Sequence, residues 1–397
     1  MLNEFLNDGP VTLIEAKKSY QEIVSRMPNK QQAKYRKRPA PLGGLVDAIN
    51  NGYYAPGPLS SASIPKPDGT TREILIPSVF DRISGNVALG RLARCACVFP
   101  AATAGFLPRR GVQQTLTEAA VALRNNPDAC VYKCDIQNFF PSCDHEVALQ
   151  ILRQFTRDEY ALYILRCQYD RWGAVHGGLP QGCPASPFLS NFILLEADML
   201  LQEVPDIFCR RYADDIILIS NDEASIHHAL EILGNQLQRH RLSMHPKKSG
   251  MVTGEYVDFL GMRLHRDGRM EIPEEAKEHY RTFTTKNQRL GWKAHYCIAW
   301  RWNRFLSSTE TETKLLNRLH AGRQQDGSVV VSVEGAQATA GPNPTGVTSV
   351  TDQVLDLVVD PLSATRSCLM LEEEGIGETR VSAQINSQTG DGDDLRM

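Results

Sequence analysis

The sequence of 397 residues lacks the long apolar runs that mark membrane proteins. No stretch approaches the ~18 consecutive apolar residues of a membrane-spanning helix. The first residues, Met1 to Phe5, also lack the basic and then apolar pattern of a secretory signal. From these two absences we expect a cytoplasmic protein with no membrane partner.

Regular spacing of cysteine is also missing. The ten cysteines form no Cys-x-x-Cys pair, and the closest two, Cys95 and Cys97, have a single residue between them, which makes a poor chelate. Disulfide frameworks and zinc sites both depend on recognisable spacing. We therefore expect free thiols in a reducing compartment and no structural zinc.

Net charge is low, at −3, but it is unevenly distributed. Residues 326–397 contain 12 acidic residues and three arginines, so they carry −9 and leave +6 for residues 1–325. This tail has no sustained apolar periodicity and is predicted to be disordered. The basic body is compatible with a nucleic-acid partner. The Lys and Arg run within residues 1–40 fits either a solvated helix or an arm that contacts phosphates.

What the chain does contain is a pair of adjacent acids between two apolar runs. Asp214 and Asp215 follow Ile207 to Cys209 and precede Ile216 to Ile219, a pattern that predicts a β-hairpin with the acids at its tip. Aspartate tolerates the backbone angles of a tight turn. Two adjacent carboxylates repel each other unless a cation lies between them, and hard oxygen ligands suit Mg²⁺. On this pattern alone, an ordinary acidic turn is an equally good interpretation.

A third acid, Asp135, ends another strand-like run. Apolar periodicity predicts the order strand, helix, helical insert, strand, strand, helix, strand over residues 131–264, with the last strand at Tyr256 to Leu264. This is the ferredoxin-like arrangement. Because its first strand neighbours the hairpin, Asp135 is expected to meet Asp214 and Asp215 at one sheet edge.

Two cations flank a predicted turn earlier in the chain. Short extended runs lie on either side of Pro67-Asp68-Gly69, so a hairpin would bring Lys66 and Arg72 together at its tip. An anion such as a triphosphate would relieve their repulsion. A surface pair with no ligand fits the same pattern.

The stretch Gly177 to Pro184 contains too many Gly and Pro residues for regular structure. Its glycines leave room for the backbone to approach a ligand closely. A helix is expected to follow, with Ser186 as its N-cap and Pro187 in its first turn.

Taken in order, these segments resemble bacterial reverse transcriptases, the group that includes group II intron, retron, diversity-generating and phage-defence enzymes. The resemblance covers about residues 60–265 and extends more weakly to about residue 320. It rests on six motifs in the expected order: Lys66 with Arg72; Cys134-Asp135-Ile136-Gln137-Asn138-Phe139-Phe140; Gly178-Leu179-Pro180-Gln181-Gly182-x-Pro184-x-Ser186-Pro187; Tyr212-Ala213-Asp214-Asp215; Leu242 to Lys248; and Phe259-Leu260-Gly261.

The resemblance implies an α+β right-hand polymerase fold with a ferredoxin-like palm, fingers and a helical thumb. We expect a basic extension at 1–40, fingers and palm at 41–265, the thumb at 266–325 and the acidic tail at 326–397. The implied activity is RNA-directed DNA synthesis, in which a primer 3′-hydroxyl is extended with dNTPs by a two-metal mechanism. Two Mg²⁺ ions, template RNA, a nucleic-acid primer and a cognate structured RNA are the implied cofactors and partners.

The resemblance also implies roles for individual residues. The expected metal ligands are Asp135, Asp214 and Asp215. The residues expected to act on the nucleotide are Lys248, which would protonate pyrophosphate, Lys66 and Arg72 at the triphosphate, Ile136 and Gln181 along the nucleotide, and Phe140, whose ring would exclude a ribose 2′-hydroxyl. The residues expected to contact nucleic acid are Ser186, Pro187 and a primer grip of Phe259, Leu260 and Gly261.

Departures from larger family members leave the subfamily open. The chain shows no HNH-like His/Asn/Cys cluster, RNase H carboxylate set or zinc-finger endonuclease after the thumb, and no retron-type Asn-Ala-x-x-His signature. We expect a stand-alone bacterial retroelement or phage-defence enzyme. Two alternatives are an RNA-binding maturase-like or scaffold protein with a vestigial polymerase site, and an RNA-templated RNA polymerase.

Overall fold

The computed structural model describes residues 9–27, 32–33, 35, 41–65, 71–108, 110–284 and 286–307. Lys66 lies outside these ranges, and so do residues 308–325 of the expected thumb and the whole of the expected acidic tail. No helix within the described ranges is both long and apolar enough to cross a membrane.

The elements before Cys130 are mostly helices. In chain order they are α1 (Leu13–Ser25), α2 (Leu42–Asn50), β1 (Ser60–Pro65), β2 (Thr71–Ile76), α3 (Val79–Leu92), a 3-10 helix (Ala93–Val98), β3 (Thr103–Ala104) and α4 (Val112–Asn125). The hairpin predicted around residues 67–69 is confirmed in its strands, because β1 and β2 pair antiparallel with Ile64 opposite Arg72.

The elements from Cys130 onward form the centre of the fold. They are β4 (Cys130–Asp135), α5 (Phe139–Ser142), α6 (His145–Arg153), α7 (Glu159–His176), α8 (Ser186–Ile193), α9 (Leu195–Gln202), β5 (Phe208–Tyr212), β6 (Asp215–Ser220), α10 (Glu223–Arg239), β7 (Gly250–Met251), β8 (Tyr256–Phe259), β9 (Met262–His265), β10 (Met270–Glu271), α11 (Glu274–Arg281) and α12 (Lys286–Ser307). Asp144 caps α6 by accepting the N–H groups of Glu146 and Val147.

The central sheet has the strand order β3-β5-β6-β4-β7. β6 lies between β4 and β5 and pairs antiparallel with both. Four helices connect β4 to β5 after the short α5, and α10 connects β6 to β7. This is the split β-α-β order, so the predicted α+β class with a ferredoxin-like palm is confirmed.

The prediction of the fourth palm strand at Tyr256 to Leu264 is wrong. On the side of β4 that faces away from β6, the neighbouring strand is β7, where Met251 lies opposite Tyr132. The run from Tyr256 instead folds back on itself as the β8–β9 hairpin, in a separate sheet of order β10-β9-β8. The reason is local: Leu260 and Gly261 both have positive φ, 49° and 76°, which is the geometry of a two-residue hairpin turn.

Both faces of the palm sheet are buried. Ile216 and Leu218 of β6 pack into the core formed with α3 and α6 to α10. Ile217 and Ile219 pack into a second core with α4, the β8–β10 sheet and α12. A strand that is covered on both faces has no need of polar alternation, and this accounts for the unbroken apolar run in the sequence.

Helix α12 is fastened to this second core. Trp302 is 3% exposed and donates its indole N–H to the Gly268 carbonyl at 2.7 Å. Trp292 donates to the Ala276 carbonyl at 3.0 Å, whereas Trp300 is 45% exposed. Trp292 and Trp302 therefore belong to a helical core, whereas Trp300 lies on an exposed surface.

Candidate active site

The acidic pair lies at the turn between β5 and β6. Tyr212 ends β5 and pairs with Asp215, the first residue of β6, so Ala213 and Asp214 form the turn. The predicted hairpin is confirmed. However, the residue with left-handed backbone is Ala213, at φ 56°, rather than either aspartate. The tolerance of aspartate for unusual angles therefore does not explain why the acids are there.

Asp135 reaches the same place from β4. It lies opposite Asp215 in the β4–β6 register. The next residue, Ile136, donates its N–H to the Asp214 carbonyl at 3.1 Å. Main-chain pairing thus brings the three carboxylates to one sheet edge, as expected from the predicted strand order.

Two lysines lie against these carboxylates. Lys248 Nζ is 3.3 Å from Asp135 Oδ2, and Lys133 Nζ is 3.7 Å from Asp215 Oδ1. The sequence interpretation included Lys248 but missed Lys133. The signal was available, because Lys133 precedes Asp135 by two residues on a strand and so projects from the same face.

The surroundings disfavour ionisation of Asp214. Burial is the main cause that raises its pKa to about 6, and the charges of Asp215 and Asp135 act in the same direction, while Arg72 opposes them. Burial also raises the pKa of Asp215, against the opposing charge of Lys133. A carboxylate disfavoured in this way gains strongly from a bound cation.

Asp135 and Asp214 open into a cleft of about 410 Å³, whereas Asp215 is not among the residues that line it. The predicted site residues that line it come from separate segments of the chain: Arg72, Asp135, Ile136, Phe140, Gln181, Asp214 and Lys248. Ile136 is 1% exposed, so it contributes its main chain more than its side chain. His176 and His245 also line the cleft, and the sequence interpretation missed both because neither belongs to a spacing that indicates chemistry.

The glycine-rich loop is hydrogen-bonded to two walls of this cleft. Leu75 of β2 donates its N–H to the Gln181 carbonyl at 2.7 Å. Leu179 donates its N–H to the Phe140 carbonyl at 2.9 Å. The loop therefore couples the position of Gln181 to the β1–β2 hairpin and to the ring of Phe140.

Two glycines permit this packing. A Cβ on Gly178 would lie 2.2 Å from the Pro141 carbonyl oxygen, and a Cβ on Gly182 would lie 2.4 Å from the Leu75 carbonyl oxygen. Both residues also have positive φ, 53° and 109°. At these two glycines the close approach is to the chain itself, and the expected approach of the loop backbone to a ligand stays a prediction.

Ser186 is buried instead of facing the cleft. It is 0% exposed, donates to the Pro180 carbonyl at 2.7 Å and shares a 2.9 Å hydrogen bond with the Tyr169 hydroxyl. The N-cap of α8 is Ala185, so the prediction of Ser186 as the cap is wrong, while Pro187 does lie in the first turn. The hydroxyl of Ser186 ties the glycine-rich loop to α7.

The predicted primer grip lies apart from the cleft lining. Phe259 is 0% exposed and belongs to the second core. The Leu260 carbonyl is 3.1 Å from His295 Nε2 of α12. Gly261 is exposed at the tip of the β8–β9 turn. The first two residues thus join the palm to α12, and Gly261 is the one with free surface.

A buried arginine beside the acidic turn was also missed. The side chains of Arg211 and Asp198 are 1% and 0% exposed and form an ion pair. Arg211 also donates to Asn191 Oδ1 and to the Ala213 carbonyl, each at 3.1 Å. The strand carries two adjacent arginines, Arg210 and Arg211, and the sequence alone does not show which of them is buried.

The donor set fits Mg²⁺ without a preformed cage. Within the part of the chain that the structure describes, no three His, Cys, Asp or Glu side chains are grouped so as to hold one metal ion. Mg²⁺ is usually held by one or two carboxylates together with water and substrate phosphates. Asp135 and Asp214 both line the cleft, and burial disfavours the ionised form of Asp214, so the two carboxylates meet that requirement.

Comparison with known proteins agrees with this geometry. Residues 64–264 match the family described as "Reverse transcriptase (RNA-dependent DNA polymerase)". The matched region contains every residue that lines the cleft. The chain is also 26% identical to "Protein YkfC" of Escherichia coli (strain K12) in an alignment 302 residues long that covers 63% of this chain and 79% of that protein.

Two solved telomerases show weaker likeness. The telomerase of Candida albicans in complex with the TWJ fragment of telomeric RNA aligns with a TM-score of 0.45 and 12% identity, over 91% of this chain and 66% of that chain. The apo telomerase of Candida tropicalis truncated from its C-terminal domain aligns with a TM-score of 0.41 and 12% identity, over 57% of this chain and 59% of that chain. This chain spans less than two thirds of either telomerase, and scores this low do not establish a shared fold.

Proposed function

Because the chain belongs to the reverse transcriptase (RNA-dependent DNA polymerase) family, we propose that it extends a primer 3′-hydroxyl with dNTPs on an RNA template. The observation that carries the proposal is the cleft in which Asp135 and Asp214 meet Arg72, Gln181 and Lys248. Carboxylates for metal ions, a cation for a triphosphate and a loop along the nucleotide lie around one space large enough for a substrate. The fold fits a right-hand polymerase with this cleft at its palm.

Each residue then has a proposed part in the reaction. Asp135 and Asp214 would hold the metal ions, with Asp215 supporting them from behind. When bound, two Mg²⁺ ions would lower the pKa of the primer hydroxyl and stabilise charge on the attacked phosphate and on pyrophosphate. Arg72 would bind the triphosphate, and Lys248 would donate a proton to the leaving pyrophosphate. The resemblance assigns Lys66 a role beside Arg72.

Sugar selection is proposed for Phe140. Its ring lines the cleft, next to the Gln181 loop that its own carbonyl anchors through Leu179. A bulky ring against the sugar leaves no room for a 2′-hydroxyl, so deoxynucleotides would be preferred. This choice separates the proposal from RNA-templated RNA synthesis.

The biological setting is part of the same proposal and rests on the motifs alone. We place the chain among stand-alone bacterial retroelement or phage-defence enzymes, acting in the cytoplasm on a cognate structured RNA. Sequencing the nucleic acid that copurifies with the chain would identify that RNA. Recovery of cellular RNA in proportion to its abundance would count against a cognate partner.

Primer extension tests the activity directly. Wild type and Asp214→Asn are compared on an RNA template with a DNA primer, dNTPs and Mg²⁺. We expect extension by wild type and a loss of at least 100-fold in the variant. If wild type binds RNA as tightly as the variant and neither extends the primer, the chain is an RNA-binding protein with a vestigial polymerase site.

A further inference from the structure

Both peptide groups that flank Asp214 are held by hydrogen bonds. The carbonyl before it, of Ala213, accepts from Arg211 Nη1 at 3.1 Å. The carbonyl after it, of Asp214 itself, accepts from the Ile136 N–H at 3.1 Å. Two fixed peptide planes determine the backbone angles between them, and those angles set the direction of the Asp214 Cα–Cβ bond. These two bonds therefore restrain the Cα–Cβ direction from which the carboxylate extends towards the cleft.

The turn needs this restraint because it is strained. Ala213 has φ 56°, in the left-handed region, which is unfavourable for a residue with a Cβ. Such a conformation persists only where surrounding contacts determine it. Ala213 is 6% exposed, so the contacts around it are with protein groups and not with solvent. Arg211 is the side chain that contacts its carbonyl.

Arg211 is in turn held from two helices. Its Nε lies 2.8 Å and 3.0 Å from the two carboxylate oxygens of Asp198 on α9, and Nη2 also donates to Asp198. Nη1 donates to Asn191 Oδ1 on α8 at 3.1 Å. Thr103 of β3 donates to Asp198 Oδ2 at 2.5 Å. The guanidinium is thus clamped between α8, α9 and the turn, with no freedom to choose another rotamer.

We propose that Arg211 is a positioning residue that transmits the placement of α8 and α9 to the acidic turn and so aims the Asp214 carboxylate for metal binding. The proposal rests on the proposed polymerase function, because metal binding is the purpose assigned to Asp214. A planar guanidinium is suited to the task, since one group reaches Asp198, Asn191 and the Ala213 carbonyl at fixed angles. A lysine ammonium could keep the ion pair with Asp198 but not all three contacts.

The decisive comparison is between Arg211→Lys and Arg91→Lys. Arg91 is a matched control, because its side chain is 2% exposed and pairs with Asp158 at 2.7 Å and with Glu15 at 3.0 Å, away from the cleft lining. We expect both variants to lower the melting temperature. Only Arg211→Lys should lower kcat at least 10-fold and raise the Mg²⁺ midpoint for extension at least threefold, with the KM for primer–template changed less than twofold.

A readout independent of turnover is Mn²⁺ affinity, measured by electron paramagnetic resonance on the protein with primer–template. Arg211→Lys should weaken Mn²⁺ binding at least threefold, and Arg91→Lys should leave it within twofold. Equal Mn²⁺ affinities in the two variants would overturn the proposal. Mn²⁺ affinity can be compared even if wild type does not extend a primer. The measurement therefore distinguishes failure of the positioning role from failure of the polymerase function.

Relief of the strain offers a second test. Glycine adopts positive φ without penalty, so Ala213→Gly added to Arg211→Lys should bring the Mg²⁺ midpoint back to within twofold of wild type. Independent effects of the two substitutions would show that Arg211 serves the core alone. If Arg211→Lys does not fold, Asn191→Ala keeps the ion pair with Asp198 and should still raise the midpoint at least twofold. An unchanged midpoint in that variant contradicts the proposal.

Discussion

Asp135 and Asp215 lie directly opposite each other across β4 and β6, and each has its own lysine. Lys248 is 3.3 Å from the first carboxylate and Lys133 is 3.7 Å from the second. Burial raises the pKa of Asp214, in the adjoining turn, and also that of Asp215. Without metal, burial therefore disfavours the ionised form of both carboxylates, and the first prediction depends on that cost.

The first prediction concerns the stability of the metal-free protein. The pKa of Asp214 is about 6 in the folded protein against an ordinary value of 3.8, so ionised Asp214 destabilises the fold above pH 6 and has no effect below the lower value. Asp214→Asn should therefore stabilise the protein at pH 7, by about 3 kcal/mol, and the gain should fade towards pH 4. Chemical denaturation in EDTA at both pH values measures it.

Asp128→Asn is the control for this prediction, because Asp128 is exposed on a loop away from the cleft. It should change stability by less than about 0.5 kcal/mol at either pH. A gain from Asp214→Asn that is the same at pH 4 and pH 7 would show that ionisation is not its cause.

The second prediction concerns the neighbouring rings of Phe139 and Phe140. Phe140 lines the cleft, so Phe140→Ala should raise ribonucleotide incorporation relative to deoxynucleotide incorporation at least 10-fold. Phe139 is 2% exposed in the main core, so Phe139→Ala should cost about 3–5 kcal/mol of stability. The measurement is the ratio of kcat/KM for ribonucleotides to kcat/KM for deoxynucleotides, made on variants that remain folded. If Phe140→Ala keeps the discrimination of wild type, the gate assignment is wrong.

The third prediction contrasts two glycines. Gly182→Ala would place a Cβ 2.4 Å from the Leu75 carbonyl oxygen at φ 109°, so the loop that holds Gln181 must move. We expect the KM for dNTPs to rise at least 10-fold. Gly234 lies within α10 with nothing within 4 Å of an added Cβ. Gly234→Ala should raise stability by about 0.5–1 kcal/mol and leave the KM unchanged, because alanine favours a helix.

The fourth prediction tests Lys248 as the proton donor to pyrophosphate. Lys248→Ala should lower kcat about 100-fold, in the range that general acid catalysis commonly supplies. Lys247→Ala is the matched control, because Lys247 is exposed and does not line the cleft. Single-turnover extension with saturating dNTP separates this step from nucleotide binding. A Lys248→Ala effect confined to KM would assign the lysine to binding alone.

Much of this fold could be predicted from local pattern. The strands ending at Asp135 and flanking Asp214 were recognisable because apolar runs end at polar residues, and helix α6 because Asp144 precedes an apolar face. The fourth palm strand could not, because β7 has only two residues, Gly250 and Met251, and no periodicity can be seen in so short a segment. The stronger signal at Tyr256 belonged to a different sheet.

For the candidate site, too, the sequence predicted some residues correctly and others wrongly. Residue type and motif order identified Asp135, Asp214, Arg72, Phe140, Gln181 and Lys248, and the structure places them around one cleft. Asp215 was identified in the same way, but it lies behind that lining, opposite Asp135. Ser186 was expected to contact nucleic acid, yet it is fully buried. Whether a serine in a loop faces solvent or the core depends on what packs over it, and that is not written in the neighbouring residues.

By itself, then, the sequence determined the family, the order of the palm elements and the identity of the acidic residues, because motifs and apolar runs are local properties of the chain. Tertiary structure decided how those residues are held. Lys133 meets Asp215, Arg211 is clamped by Asp198 and Asn191, and Gly182 packs on β2. Each of these contacts joins separate structural elements, and their side chains meet only when strand register and helix packing bring those elements together.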